Sequence, residues 1–130
     1  HAVPTDGEGF TDLSRPLGDW LATIAPGEGI LSAFVRHTTA SLVIQENADP
    51  DVRADLLTAL SRLAPQRGDY RHALEGPDDM PAHIKAVLCG PRVSIPCDRA
   101  LLLGTWQSLY LVEHRSGRRT RDVVFTYVGS

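Results

Sequence analysis

Apolar and polar positions alternate with different periods along the chain, and each change of period marks an element. From Ser14 to Ala25 the apolar residues Leu17, Trp20, Leu21 and Ile24 recur at the i, i+3, i+4, i+7 spacing of one helical face. Pro16 suits the first turn and Pro26 marks the stop. After a Pro-Gly-Glu-Gly turn, Ile30 to Arg36 is a nearly continuous apolar run, the pattern of a buried strand. Thr38 to Gln45 is β-branched and apolar and reads as the next strand. Asp49 then stands as N-cap with Pro50 at the first helical position, and Val52, Leu56, Leu57, Leu60 and Leu63 form the apolar row of a second helix.

Residues 66–79 have no periodicity and form a polar loop, of a length that in small domains often carries function. Asp79 is expected to cap a short helix, Met80 to Cys89, with Gly90 as its C-terminal cap. The remainder is strand-rich. Arg92–Ile95 is one strand, Leu101–Leu103 another or its continuation, and 106–114 alternates strictly. In that run Trp106, Ser108, Tyr110 and Val112 share one face, opposite Gln107, Leu109, Leu111 and Glu113. Arg121–Val128 is expected to pair with it as a hairpin across Ser116-Gly117. The first ten residues carry only Val3 and Phe10 as anchors. Helices do not alternate regularly with strands. The expected class is therefore α+β: one compact domain spanning 1–130, mostly antiparallel sheet in a sandwich-like arrangement with about three helices.

Composition narrows the function. With 42% hydrophobic residues among 130, a real core is available without disulfides. Thirteen Lys and Arg against sixteen Asp and Glu give a net charge of −3, which argues against nucleic acid as partner. Arg115, Arg118, Arg119 and Arg121 cluster, but read as a solvated hairpin. Cys89 and Cys97 sit among apolar neighbours and read as small buried hydrophobes. No apolar run reaches the roughly 18 residues of a membrane helix, and no leader pattern is visible, so a cytoplasmic location is expected.

Candidate chemistry lies in four polar segments. His37-Thr38-Thr39-Ala40-Ser41 follows a strand, and Gln45-Glu46-Asn47 precedes a helix. The long loop runs from Tyr70-Arg71-His72 to Asp78-Asp79 and His83, and the last segment is Gly104-Thr105-Trp106-Gln107 through Glu113. His37, His72 and His83 with a water would make an open site for a divalent metal, although their spacing matches no metal motif. His72 and His83 bracket one loop, so its closure would bring them together, with Glu75, Asp78 and Asp79 as acceptors orienting the rings. For Asp79, capping is expected to be the whole role. Glu46 suits a general base or metal ligand better than a phosphate contact. Trp106 and Gln107 would stack on and bond a heteroaromatic ring, or Trp106 would be core. Glu113, on an otherwise apolar face, needs a partner, and Arg121 across the hairpin is the natural one. No Walker loop, G-x-G-x-x-G or G-x-S-x-G elbow occurs.

These segments in their order resemble the YjbQ-like family. The resemblance rests on His37-Thr38-Thr39-Ala40-Ser41, Glu46-Asn47-Ala48-Asp49-Pro50 and Tyr70-Arg71-His72. It continues in Asp78-Asp79-Met80-Pro81-Ala82-His83-Ile84-Lys85, Ile95-Pro96, Leu103-Gly104-Thr105-Trp106-Gln107 and Glu113-His114-Arg115. Arg99-Ala100-Leu101 and Cys97 depart from the family pattern but touch none of the polar segments. The resemblance implies a homotrimer with a pocket near the subunit interface. It also implies a weak thiamine-phosphate synthase-like activity, joining a pyrimidine methyl diphosphate to a thiazole phosphate. In that reading His37, Glu46 and His83 are the catalytic candidates. Thr38, Asn47, Trp106, Gln107, Glu113 and Arg121 would bind the substrate, and His37, His72 and His83 would hold Zn or Mg. A metal-dependent hydrolase with a histidine-bound water, and a non-catalytic binder of a small phosphorylated metabolite, stand as alternatives built on the same groups.

Overall fold

The structure, a computed structural model, describes residues 1–130. Two antiparallel sheets face each other with the core between them. Strands β1 (Ala2–Asp6), β7 (Arg118–Gly129), β3 (Glu28–Val35) and β5 (Arg92–Asp98) lie side by side in that order. The second sheet runs β2 (Gly9–Asp12), β6 (Gln107–Glu113), β4 (Ala40–Glu46). Inward side chains from both sheets, among them Leu31, Val35, Leu42, Ile95, Leu109, Leu111 and Val123, form one cluster, which Leu17 and Leu21 of helix α1 (Ser14–Ile24) join. The expected α+β class is therefore met, as antiparallel sheets with three helices.

The helix ends follow local chemistry. Asp49 caps helix α2 (Pro50–Leu63), its carboxylate accepting from the Asp51 amide at 2.9 Å. Helix α3 (Asp79–Cys89) stops at Gly90, which donates to the Ala86 carbonyl at 2.8 Å. Its φ of 92° is a conformation open to glycine and strained for other residues. The apolar row expected on α2 is present, yet no residue of that helix is buried.

Pairing departs from the sequence reading in three places. The segment before α1 forms β1 and β2, which pair with β7 and β6, partners at the other end of the chain that no local pattern announces. Leu101–Leu103 is not a strand; only Leu101 forms an isolated bridge, to Cys97. Most consequentially, β6 and β7 are not a hairpin. The bend at Ser116-Gly117 is real, but it carries the chain from one sheet to the other. The strand at Ile30 is also half-exposed rather than buried on both faces. Ile30 and Phe34 point outward opposite Val128 and Val124 of β7, and all four are exposed.

Candidate functional site

The site is assembled at the N-terminus of α3, where the polar loop ends. Asp79, only 2% exposed, is the first residue of the helix, and His83 stands one turn later on the same face. His83 Nε2 lies 3.3 Å from Asp79 Oδ2. The loop folds back to place His72 Nε2 2.5 Å from the same oxygen. The two imidazoles meet edge to face, 5.5 Å between centroids. One donor atom each from His72, Asp79 and His83 falls within 4.8 Å of the others.

Behind this trio, Arg115 fixes the acids. Its guanidinium reaches Asp79 Oδ1 at 3.3 Å, Asp78 Oδ2 at 3.2 Å and the Glu75 carbonyl at 2.8 Å. The Asp78 carboxylate also accepts from the Ser116 amide and hydroxyl. Burial pushes the Asp78 carboxyl up, but these bonds outweigh it and hold the group down at about 2. Asp79 is likewise desolvated, and it too is held below the ordinary carboxylate range, by the His72 hydrogen bond and the charges of Arg115 and His83. The expectation that Asp79 serves only as a cap is thus corrected. Asp78 is the residue in the N-cap position and makes no side-chain cap, and both carboxylates contact Arg115. An Asp four positions before a His on one helix was the signal available in the sequence.

His37 stands outside the trio. It lies in the connection from β3 to β4, and its Nε2 accepts from the Asp122 amide at 2.9 Å. Burial first, and the Arg121 charge second, lower its pKa below the ordinary histidine value. It meets the site by another route, for His37, Thr38 and His83 line one cleft of about 350 Å³ with Ala40, Ala86, Val87 and Pro91.

Glu113 and Arg121 pair as expected, but face to face across the sandwich instead of along a hairpin. Glu113 accepts from Arg121 Nε at 2.7 Å and Nη2 at 2.5 Å, from the Thr5 hydroxyl at 2.7 Å and from the Arg115 amide at 3.0 Å. Arg121 also donates to the Thr39 hydroxyl at 2.9 Å. At 1% and 5% exposure these two residues are buried between the sheets, which corrects their assignment as substrate contacts. Desolvation pushes the Glu113 carboxyl up, and the hydrogen bonds prevail to hold it below its ordinary value. Of the four clustered arginines, Arg115 and Arg121 are therefore internal clamps rather than solvated charges.

The other candidates lie at the far end of the small sheet. Glu46 pairs with Gln107 in register, while Ala40 pairs with Glu113. The two ends of that ladder are roughly 20 Å apart at the strand rise. Trp106 is exposed, not core. The Gln107 side-chain oxygen Oε1 closes a turn by accepting from the Gly104 amide at 2.8 Å. Glu46 Oε2 accepts from the Asp49 amide at 3.3 Å, and Asn47 donates to Ser108 Oγ at 3.0 Å. Glu46, Asn47, Trp106 and Gln107 thus form a second group, separated within one chain from the histidines.

Two buried groups stand in the segments of the family resemblance but were given no role of their own from the sequence. His114, 1% exposed, bonds Ser41 Oγ through Nε2 at 2.9 Å, and burial pushes its pKa down to about 4. Lys85, 3% exposed, reaches the Glu8 carboxylate at 3.4 Å. Spacing suggests no chemistry for either; burial alone makes them unusual. The largest groove, about 640 Å³, runs along β1 and β7 past Thr5, Asp6, Arg118 and Arg119 and contains no histidine.

Residues 1–130 match the family model described as UPF0047 protein YjbQ-like. A UPF0047 protein of Synechocystis is 51% identical over 124 residues, covering 94% of this chain and 84% of that protein. The YjbQ protein of Salmonella typhimurium is 39% identical over 123 residues, covering 93% and 89%. Among solved structures, a YjbQ/UPF0047 protein of Clostridium acetobutylicum superposes with a TM-score of 0.89 at 34% identity, covering 98% of both chains. A conserved hypothetical protein of Thermus thermophilus gives 0.86 at 36% identity, again over 98% of both. The chain belongs to the YjbQ/UPF0047 family.

Proposed function

We propose that this chain is a divalent-metal-dependent enzyme of small phosphorylated metabolites, with His72, Asp79 and His83 as the ligands. The observation that carries the reading is the convergence of two imidazole nitrogens and a buried carboxylate oxygen, beside a cleft that His83 also lines. The donor set fits a transition metal. Ligand atoms about 2 Å from a zinc ion lie a little over 3 Å from one another, so atoms already within 4.8 Å need only small rotations. Two imidazoles with one carboxylate suit Zn, Fe or Mn better than Mg, which prefers oxygen ligands and water. His72 is 45% and His83 31% exposed at the side chain, so a ligand facing solvent has room to join. Arg115 occupies Asp79 Oδ1 and leaves Oδ2 toward the imidazoles.

When bound, such a metal supplies Lewis acidity toward a phosphoryl or diphosphate oxygen, or a water of lowered pKa. The chain's own residues then divide the remaining work. His37 and Thr38 line the cleft beside His83 and offer hydrogen bonds to a bound molecule. The particular reaction we favour is synthase-like transfer, in which diphosphate leaves a pyrimidine methyl carbon and a thiazole phosphate replaces it. Exposed Trp106 and the Glu46 carboxylate are suited to the ring and to a developing cation.

Those groups lie roughly 20 Å along the ladder from Ala40, which lines the cleft with His83. A homotrimer is proposed as the arrangement that closes this distance, setting the Trp106 end of one copy near the His83 end of the next. Two apolar surfaces support assembly: the half-covered α2 row, which has no fully buried member, and the exposed outer sheet face of Ile30, Phe34, Val124 and Val128. The reading is tested by diphosphate release from the pyrimidine substrate, with His83→Ala as control. Zinc-dependent release that the variant loses supports it. Release by the variant at the parent rate, or ligand binding without turnover, contradicts it.

A further inference from the structure

The cleft beside His83 has an unusual lining for a site that handles phosphate. Ala40, Ala86, Val87 and Pro91 form its walls, His37, Thr38 and His83 supply its polar atoms, and no Lys, Arg, Asp or Glu contributes. His83, Ala86 and Val87 follow the i, i+3, i+4 spacing, so one face of α3 makes a continuous wall, and Val87 is 84% exposed along it. A phosphate placed here would lose water against apolar groups with no cation to replace it. His37 Nε2 is already used as an acceptor for the Asp122 amide, so the ring offers its other nitrogen as an uncharged donor. At about 350 Å³ the space falls at the small end of ligand sites, enough for a single substituted ring.

We infer that this cleft binds the uncharged, apolar or aromatic part of the substrate, so that its phosphorylated end lies at the His72, Asp79 and His83 cluster. The orientation rests on the proposed metal site; the occupancy of the cleft does not. The substrate class is therefore a compact ring compound carrying one phosphoryl substituent, in preference to a sugar phosphate or a free polyphosphate.

The experiment follows backbone amide shifts of the full chain, zinc-free and zinc-loaded, on addition of benzyl alcohol, benzyl phosphate or inorganic phosphate. Benzyl alcohol is expected to move the amides of Thr38, Ala40, Ala86 and Val87 in both forms. In the zinc-loaded protein benzyl phosphate should bind at least about tenfold more tightly than inorganic phosphate, the contribution of one buried ring. Ala86→Phe, which fills the cleft, should remove that preference with zinc content unchanged. Val87→Glu, at an exposed position, makes the same test if the larger residue disturbs folding. The inference is overturned if benzyl alcohol leaves those amides unmoved, if inorganic phosphate binds as tightly as benzyl phosphate, or if Val87→Glu lowers the assembly mass, which would mean that another copy of the chain fills the cleft. Should zinc fail to bind at all, the metal reading falls while the benzyl alcohol shifts still decide the cleft.

Discussion

Asp79 shows how much one buried carboxylate organises. It accepts from His72, neighbours His83 on the same helix and faces Arg115 with its other oxygen. Glu113 plays a comparable part inside the sandwich, but with a purely structural outcome. Its four hydrogen bonds tie β6, β1, β7 and the connecting bend together. Arg121→Ala should therefore cost about 3–5 kcal/mol, because it leaves a buried carboxylate without its cation, and urea denaturation would measure it. His114 gives a pH dependence. Its folded pKa of about 4 lies below the ordinary 6.5, so between these values the unfolded chain takes up a proton that the folded chain refuses. Stability is full above pH 6.5, falls as pH drops toward 4, and loses about 3 kcal/mol in all. His114→Gln keeps a partner for Ser41 and removes the titration, so its denaturation midpoint should change less between pH 7 and 4.5. An unchanged slope would place the acid sensitivity elsewhere.

At the scale of elements, what was legible followed from how local each signal is. The limits of α1 and α2 and the stop of α3 were readable because caps, prolines and glycines act within a turn of where they sit. Gly90 is the clearest case, and nothing lies within 4 Å of a Cβ built there, so Gly90→Ala isolates backbone strain. About 1–3 kcal/mol of lost stability is expected, read by thermal or chemical unfolding. The hairpin was misread for the opposite reason. A Ser-Gly bend and two alternating strands are local facts, but the sheet each strand joins is settled by partners such as β1 and β2 far along the chain. The Glu113–Arg121 pair survived that error because the bend brings the strands close across the sandwich as well as within a sheet. Of the site, His72 and His83 were legible from the loop that joins them. Asp79 was hidden by its plausible capping role, and His37 was over-assigned because spacing says nothing about which atom a backbone amide will claim.

On the scale of the whole molecule, the chain exposes an apolar patch on its outer sheet face at Ile30, Phe34, Val124 and Val128. A strand run read as buried exposes Ile30 and Phe34, and the apolar row of α2 is only half covered, with Leu63 exposed and Val52, Leu56, Leu57 and Leu60 of intermediate burial. Both facts make sense together if the buried faces belong to an assembly. Light scattering should report a mass of three chains, and Leu56→Gln with Leu60→Gln, or Phe34→Gln with Val124→Gln, should reduce it while leaving the β-sheet circular dichroism signal intact. A parent protein that is monomeric at micromolar concentration would contradict the proposal.

The central claim is that His72, Asp79 and His83 hold one divalent metal. Its most direct test is zinc titration of the metal-free protein by calorimetry, with elemental analysis of the product. We predict close to one zinc per chain, with affinity lowered at least about 100-fold in Asp79→Asn and in His83→Ala but unchanged in His37→Gln, which lies outside the ligand set. No stoichiometric binding, or binding that depends on His37 and not on Asp79, would contradict it.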